Sequence, residues 1–338
     1  MLNRELILHH DDLDGAASAA IVMHHAHWRR GGDVVARPIR YGENVQAVLD
    51  AMGDEFDRVF LVDWSPQGAG AIEALYERLG SRLVWIDHHA AAIQGYRASD
   101  GGLGGLINGV RMSEADGRPL AACELAWIYC WTPQIRETLA WPRWLTLIGD
   151  WDTWRYAKDL GSVAPDVKRY FDQFGIDEMR EQLEALVNKT VLVDSQVLVF
   201  QAADERAVTQ MVDVGRLFGR YERAQDAELM RARAFEGTFD GVPAIIANGG
   251  QRGSGRFASV YDRARHRVMV WCGYENTGVW SVSLYSEDPT LDCGVLCQRI
   301  GSEGPVGTGG GHRGAAGFQT TWDHLRTLIV RADGKLVF

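Results

Sequence analysis

The sequence carries no surplus of positive charge: 35 Lys and Arg stand against 45 Asp and Glu, a formal net charge of −10. That sign argues against a broad basic face for long nucleic acid or anionic membrane, though not against a short phosphate ligand drawn to bound cations. Cysteine is scarce. Cys123, Cys130, Cys272, Cys293 and Cys297 are odd in number and show no paired CxxC spacing. Neither a disulfide framework nor a structural zinc site is expected. No stretch approaches the roughly 18 consecutive apolar residues of a membrane helix, and the apolar run before His9 is too short for a signal-peptide core. A soluble, cytoplasmic protein is the expectation. There is no internal repeat and no low-complexity tract. What remains is 338 residues of ordinary globular composition, 46% hydrophobic and 24% charged, which favours two domains at roughly 100–200 residues each.

Four short apolar runs end in aspartate. Leu6-Ile7-Leu8 leads into His9, His10, Asp11 and Asp12; Val59–Val62 ends at Asp63; Leu83–Ile86 ends at Asp87, His88 and His89; Leu145–Gly149 ends at Asp150. The first three read as buried parallel strands, and the fourth as a strand or the last turns of a helix. Helical spacing over Ala16–Trp28, Asn44–Met52 and Ala69–Leu79 places helices between them, the pattern of a parallel sheet covered on both faces. Ligands of such sheets bind outside the carboxyl ends of the strands. One Asp after a strand is ordinary turn chemistry; four, two of them with histidine, point to a shared site.

In His10-Asp11-Asp12-Leu13-Asp14-Gly15, an extended chain would aim His10, Asp12 and Asp14 the same way. Gly15 would then permit a sharp turn into a helix whose first amides could face an anion. Carboxylates with imidazole and no thiolate suit Mn²⁺ or Mg²⁺. With Asp63, His88 and Asp150 they make about six ligands, enough for two ions of the kind that attack phosphate esters.

Together these motifs resemble the DHH phosphoesterase superfamily. Asp87-His88-His89 resembles its eponymous motif, HxDxDG at His10–Gly15 its first, Val62-Asp63-Trp64-Ser65 its second and Ile148-Gly149-Asp150 its fourth. The resemblance implies His10, Asp12, Asp14, Asp63, His88 and Asp150 as metal ligands, with Asp152 in reserve for Asp150. It implies His89 on the substrate phosphate and Asp87 orienting the histidines. His24, His25 and His27 share one helix and read as packing or surface residues, and His9 is expected to point away from His10's side.

Asp177 to about Phe235 has helical spacing, and a second unit of strands at Val242–Ala247, Arg267–Tyr274 and Trp280–Tyr285 begins near Gly237. Near the end, Gly309-Gly310-Gly311-His312-Arg313 could bring backbone amides and two donors to a phosphate. GGGHRGAAGF resembles the signature of the DHHA1 domain, and Ser281–Ser286 resembles that domain's SLRS strand with Tyr285 in place of arginine. The expected organisation is an α/β DHH domain over 1–175 with a parallel sheet and flanking helices, a helical linker over 176–235, and a smaller α/β DHHA1 domain over 236–338. Six tryptophans between Trp127 and Trp154 read chiefly as packing or a homodimer interface, with Trp151 and Trp154 as candidates for stacking a base. The resemblance implies a phosphodiesterase with two Mn²⁺, or Mg²⁺, acting on short oligonucleotides or cyclic or linear dinucleotides. The alternatives are an inorganic pyrophosphatase or polyphosphatase, or a non-catalytic nucleotide sensor.

Overall fold

A computed structural model describes residues 4–30, 33–53, 55–66, 70–98, 106–135, 141–159, 161–194, 197–200, 205–249, 253–307 and 309–335. The chain forms two compact units, 1–219 and 220–338.

In the first unit, β1 (Arg4–His10), β2 (Asp33–Ile39), β3 (Arg58–Val62) and β4 (Leu83–Ile86) form an all-parallel sheet in the order β2-β1-β3-β4. Side chains alternate across it. Ile7, Phe60, Val62, Val84 and Ile86 enter one core, while Leu6, Leu8, Val59, Leu61, Leu83 and Trp85 enter the other. The second core is closed by α2 (Val45–Met52) and α3 (Ala71–Leu79), with Tyr96 from α4 (Ala90–Ala98). The first is closed by α1 (Leu13–Arg30), α5 (Ala122–Ile135), α6 (Arg143–Asp152), α7 (Ala164–Phe171) and α8 (Ile176–Thr190). A small hairpin, β5 (Glu114–Ala115) and β6 (Arg118–Pro119), precedes α5, and another, β7 (Val191–Asp194) and β8 (Val197–Phe200), follows α8.

The mixed α/β class read from the sequence holds, and several local expectations change. Asp33–Ile39 lacks a strand pattern in the sequence, yet it is the sheet's edge, the place where Pro38 is tolerated because one side of the strand has no ladder to complete. The fourth apolar run is the helix α6, not a strand. The stretch expected to be helical from Asp177 contains α8, the β7–β8 hairpin, and α9 (Glu205–Arg233). Met179, Leu183, Leu186 and Val187 of α8 lie in the first unit's core, packed against α1, and the boundary between the units falls within α9.

The second unit is a seven-stranded mixed sheet built from β9 (Phe235–Phe239), β10 (Val242–Asn248), β11 (Val268–Tyr274), β12 (Trp280–Tyr285), β13 (Gly309–Gly311), β14 (Ala315–Thr320) and β15 (Ile329–Arg331). Their order is β13-β14-β12-β11-β10-β9-β15, and only β10 and β11 pair in parallel. Val270, Cys272, Val282 and Leu284 pack on α10 (Cys293–Glu303) and α11 (Trp322–Leu328). Met230, Phe257 and Trp271 cover the opposite face. Gly309 is required by packing: a Cβ there would lie 2.2 Å from the Cys297 carbonyl oxygen of α10.

Candidate metal centre

The register of the parallel sheet brings the motifs into one row. His9 pairs with Val62 and Val62 with Ile86, so the residues that follow each strand emerge side by side at the carboxyl end. β1 delivers His10 and Asp12, β3 delivers Asp63, β4 delivers Asp87, His88 and His89, and β2 delivers Arg40 and Tyr41. Asp63 holds a left-handed backbone (φ 56°) that few non-glycine residues adopt, with its amide donating to the Ile86 carbonyl at 3.0 Å.

Asp14 arrives differently from the expectation. The chain turns after Asp12, and Asp14 lies in the first turn of α1 instead of continuing an extended strand. Its buried carboxylate accepts hydrogen bonds from the Ala122 and Cys123 amides at 2.7 and 2.8 Å, at the start of α5. Gly15 serves close approach and not a turn: a Cβ there would sit 2.2 Å from the His10 carbonyl oxygen. Its amide donates to Asp12 Oδ1 at 3.0 Å.

Three sets of donor atoms lie close enough to hold a cation: His10, Asp12 and Asp63; Asp63, His88 and His89; Asp14, His88 and Asp152. His88 Nε2 is 3.3 Å from Asp63 Oδ1, 3.4 Å from Asp152 Oδ2 and 3.8 Å from Asp14 Oδ2. His10 Nδ1 is 2.7 Å from Asp12 Oδ2 and 3.8 Å from Asp63 Oδ2. Asp152, held in reserve, is therefore the α6 residue that reaches the row. Asp150 accepts from Arg155 Nε at 2.6 Å, and in a helix of 3.6 residues per turn residues two positions apart point to nearly opposite faces. The sequence favours Asp150 because it directly follows the apolar run.

Asp87 and His89 form a fixed support. Buried Asp87 accepts from the His88 and His89 amides at 2.8 and 3.2 Å, from His89 Nδ1 at 2.7 Å, and from the Ser65 hydroxyl. Burial alone would raise the Asp87 carboxyl, but the His89 and Ser65 hydrogen bonds and the His89 charge hold it below the usual range. Burial likewise opposes protonation of His89, and Asp87 outweighs it, raising His89 above an ordinary imidazole. Asp12 is held down at about 2: burial raises it, and the His10 bond and charge and the Gly15 amide outweigh that. Asp63 moves the other way. Burial, then the charges of Asp14, Asp12, Asp152 and Asp87, raise it well above a normal carboxyl, and burial with Asp14 and Asp12 pushes Asp152 up to about 8.

A bound cation would relieve such crowding. Asp63 is 1% exposed, and its Oδ1 has no hydrogen-bond partner among the described residues. Buried carboxylates with imidazoles and no thiolate ligand are a donor set for hard divalent cations, whose charge would bring these carboxyls back to the ionised form.

Sequence reasoning missed Ser65, Tyr41 and Arg155. Tyr41 places its ring 5.0 Å from His10, 6.3 Å from His89 and 6.2 Å from Trp64, between centroids. Burial and the Asp87, Asp63 and Asp12 charges raise its phenol, keeping it a neutral donor. Arg155 ties Asp150 to fully buried Glu124, fixing the turn that follows Asp152. His9 is fully buried, and burial lowers its imidazole to about 4. His24 and His25 pack against Trp131, and His27 lies 3.7 Å from Glu184. Of the six clustered tryptophans, Trp127, Trp131 and Trp144 are core, while Trp154 is exposed and stacks with Tyr156, which also stacks on Trp151.

In the second unit, Gly309, Gly310 and Gly311 form β13, hydrogen-bonded to β14, and His312 and Arg313 are exposed just beyond it. Arg313 donates to the Pro289 carbonyl and its own carbonyl accepts from the Cys293 amide. Among the described residues no helix is long and apolar enough to cross a membrane.

No protein-family model and no curated protein matches the sequence. Solved structures do resemble it. A pGpG-specific phosphodiesterase, PggH from Vibrio cholerae, aligns at TM-score 0.50 and 11% identity over 95% of this chain and 94% of that one. The exonuclease RecJ bound to manganese aligns at 0.53 and 17%, over 96% and 88%. The DHH domain of a member of a family of ribosomal proteins aligns at 0.52 and 16%, over 96% and 84%. The chain thus has the fold of the DHH-domain proteins, with Asp87-His88-His89 at the carboxyl end of β4.

Proposed function

We propose that the chain is a metal-dependent phosphodiesterase that hydrolyses short oligonucleotides or cyclic or linear dinucleotides. The observation that carries this reading is buried Asp63, whose Oδ1 has no hydrogen-bond partner among the described residues and lies 3.3 Å from His88 Nε2, and which belongs to two sets of donor atoms. His10, Asp12 and Asp63 would hold one cation, and His88 with Asp14 and Asp152 would hold another. Mn²⁺ or Mg²⁺ held there would supply water activation at neutral pH and charge to neutralise phosphoryl oxygens.

The chain's own groups do the rest. His89, its imidazole raised by Asp87, donates to a non-bridging phosphate oxygen. Asp87, held by Ser65 and two backbone amides, fixes the direction of that donor. Gly309–Gly311 with exposed His312 and Arg313 would contact a substrate phosphate. On this reading the first unit, which includes α8, carries the chemistry and residues 236–338 hold substrate. The net charge of −10 suits a small substrate gripped at a few points, and the fold is shared with a phosphodiesterase and an exonuclease.

The test is a Mn²⁺-dependent time course offering 5′-labelled dinucleotides, a five-mer, a long single strand, cyclic dinucleotides and pyrophosphate in parallel. Preferential release of mononucleotide from the shortest chains is expected. Turnover of pyrophosphate alone, or tight nucleotide binding without any hydrolysis, overturns it.

A further inference from the structure

Next to the metal centre lies a cavity of about 310 Å³ that the catalytic reading does not use. It opens between the segment after β2 and the start of α3. Its apolar lining comes from Val45, Trp64 and Pro66, and its polar lining from Glu43, Asn44 and Gln46. Trp64 immediately follows Asp63, and its ring stacks on Tyr41 (22° between planes), whose ring in turn meets His10. The cavity therefore adjoins the row of metal-binding groups through two aromatic side chains.

We infer that this cavity is a nucleobase subsite, receiving the base of the nucleotide whose phosphate lies at the metal centre. This rests on the hydrolytic reading above and adds the base as a recognised part of the substrate. Three observations support it. The size is at the lower end of small-molecule sites, roughly 300–1,000 Å³, which fits one base or nucleoside and excludes a longer segment. Among the described residues the lining contains no Lys or Arg and does contain the Glu43 carboxylate, so a phosphate is disfavoured there while a base N–H or amino group is welcome. Trp64 is 1% exposed, and its indole N–H has no hydrogen-bond partner among the described residues. A buried orphan donor is costly, and a ring nitrogen or carbonyl of a base would complete it. Glu43 accepts from the Arg40 amide at 2.8 Å through Oε1 and from Arg37 at 3.4 Å through Oε2, which positions it, and each carboxylate oxygen retains a further acceptor site. Tyr41, 43% exposed, stacks on Trp64 of the lining.

The experiment is a titration of the metal-free protein with guanosine, and with ribose 5-phosphate as the base-free control, read by the indole N–H resonances. The Trp64 resonance is identified as the one missing in Trp64→Phe. Guanosine should shift it and ribose 5-phosphate should not. Ala74→Trp, a change at an exposed position of α3 on the cavity rim, should weaken guanosine at least tenfold while Mn²⁺ affinity stays within twofold. An unshifted Trp64, an equal shift by ribose 5-phosphate, or full guanosine affinity in Ala74→Trp overturns the assignment. Mn²⁺-dependent hydrolysis of a dinucleotide, measured alongside, separates the two ideas. Hydrolysis without guanosine binding removes only the base subsite, and guanosine binding without hydrolysis removes only the catalytic reading.

Discussion

In the second unit, acids meet arginines: Arg267 with Asp288, Arg265 with Asp262, Arg299 with Asp240, Arg331 with Asp333. Thr290 and Arg267 hold Asp288 at about 2, and Asp262 and Asp333 are lowered as well. At the carboxyl end of the first unit's sheet, acids meet acids. Asp63 and Asp152 are raised because burial is compounded by other carboxylates. Exposed pairs of the first kind contribute little and are ordinary surface. The second arrangement opposes folding in the absence of a counter-charge, so its presence marks function in the way pairing does not.

The largest effect expected from breaking that contrast is at Asp63. Asp63→Asn should abolish hydrolysis and at the same time raise the melting temperature of the EDTA-treated protein, because a buried repulsion has gone. Lost activity with an unchanged or lowered apo melting temperature would contradict the crowding argument. Next, Asp152→Asn should weaken Mn²⁺ binding by at least tenfold, whereas Asp150→Asn, which touches only the Arg155 contact, should leave it within a fewfold. Calorimetric titration of both variants decides the order, and the reverse ranking would restore Asp150 as the ligand. Ser65→Ala acts one step removed, through Asp87, and is expected to cost roughly 10–100-fold in activity or metal affinity, the usual penalty for losing a partner that orients a metal-site side chain.

A pH series sharpens the same comparison. Asp152 is raised from 3.8 to about 8 in the folded chain, so its stabilising contribution is complete below about pH 4 and is lost as pH rises through about 8. The metal-free protein should therefore lose stability over that window, and Mn²⁺ at a hundredfold excess over its Kd should restore about 2.7 kcal/mol. A flat apo profile would show that the acids are not crowded in solution. The smallest effect belongs to the second unit: His312→Ala should weaken dinucleotide binding while leaving Mn²⁺ affinity and the pH profile untouched, and a fall in Mn²⁺ affinity there would move His312 into the metal centre.

How much of this was legible in the sequence follows from distance along the chain. His10, Asp63, Asp87, His88 and His89 directly follow or end apolar runs, and the parallel register aligns them without further information. Asp14 was found for the wrong reason, since it reaches the site from the first turn of a helix and is anchored by amides more than a hundred residues away. Asp152, and not Asp150, lies near His88 and Asp14; an apolar run before an aspartate looks the same in a strand and in a helix, and only the helical period separates the two. Tyr41 was invisible because its strand, an edge strand interrupted by Pro38, lacks the buried alternation that announced the others. Ser65 was quoted within a motif, but its bond to Asp87 exists only once β3 and β4 lie side by side.

The most direct test of the metal centre is its stoichiometry. Titration of the full chain with Mn²⁺, followed by calorimetry and by electron paramagnetic resonance, should show two ions per chain with mutual spin coupling, falling to one or none in Asp63→Ala and staying at two in His312→Ala. A single uncoupled ion in the unaltered protein, or two retained in Asp63→Ala, would contradict a centre bridged by Asp63.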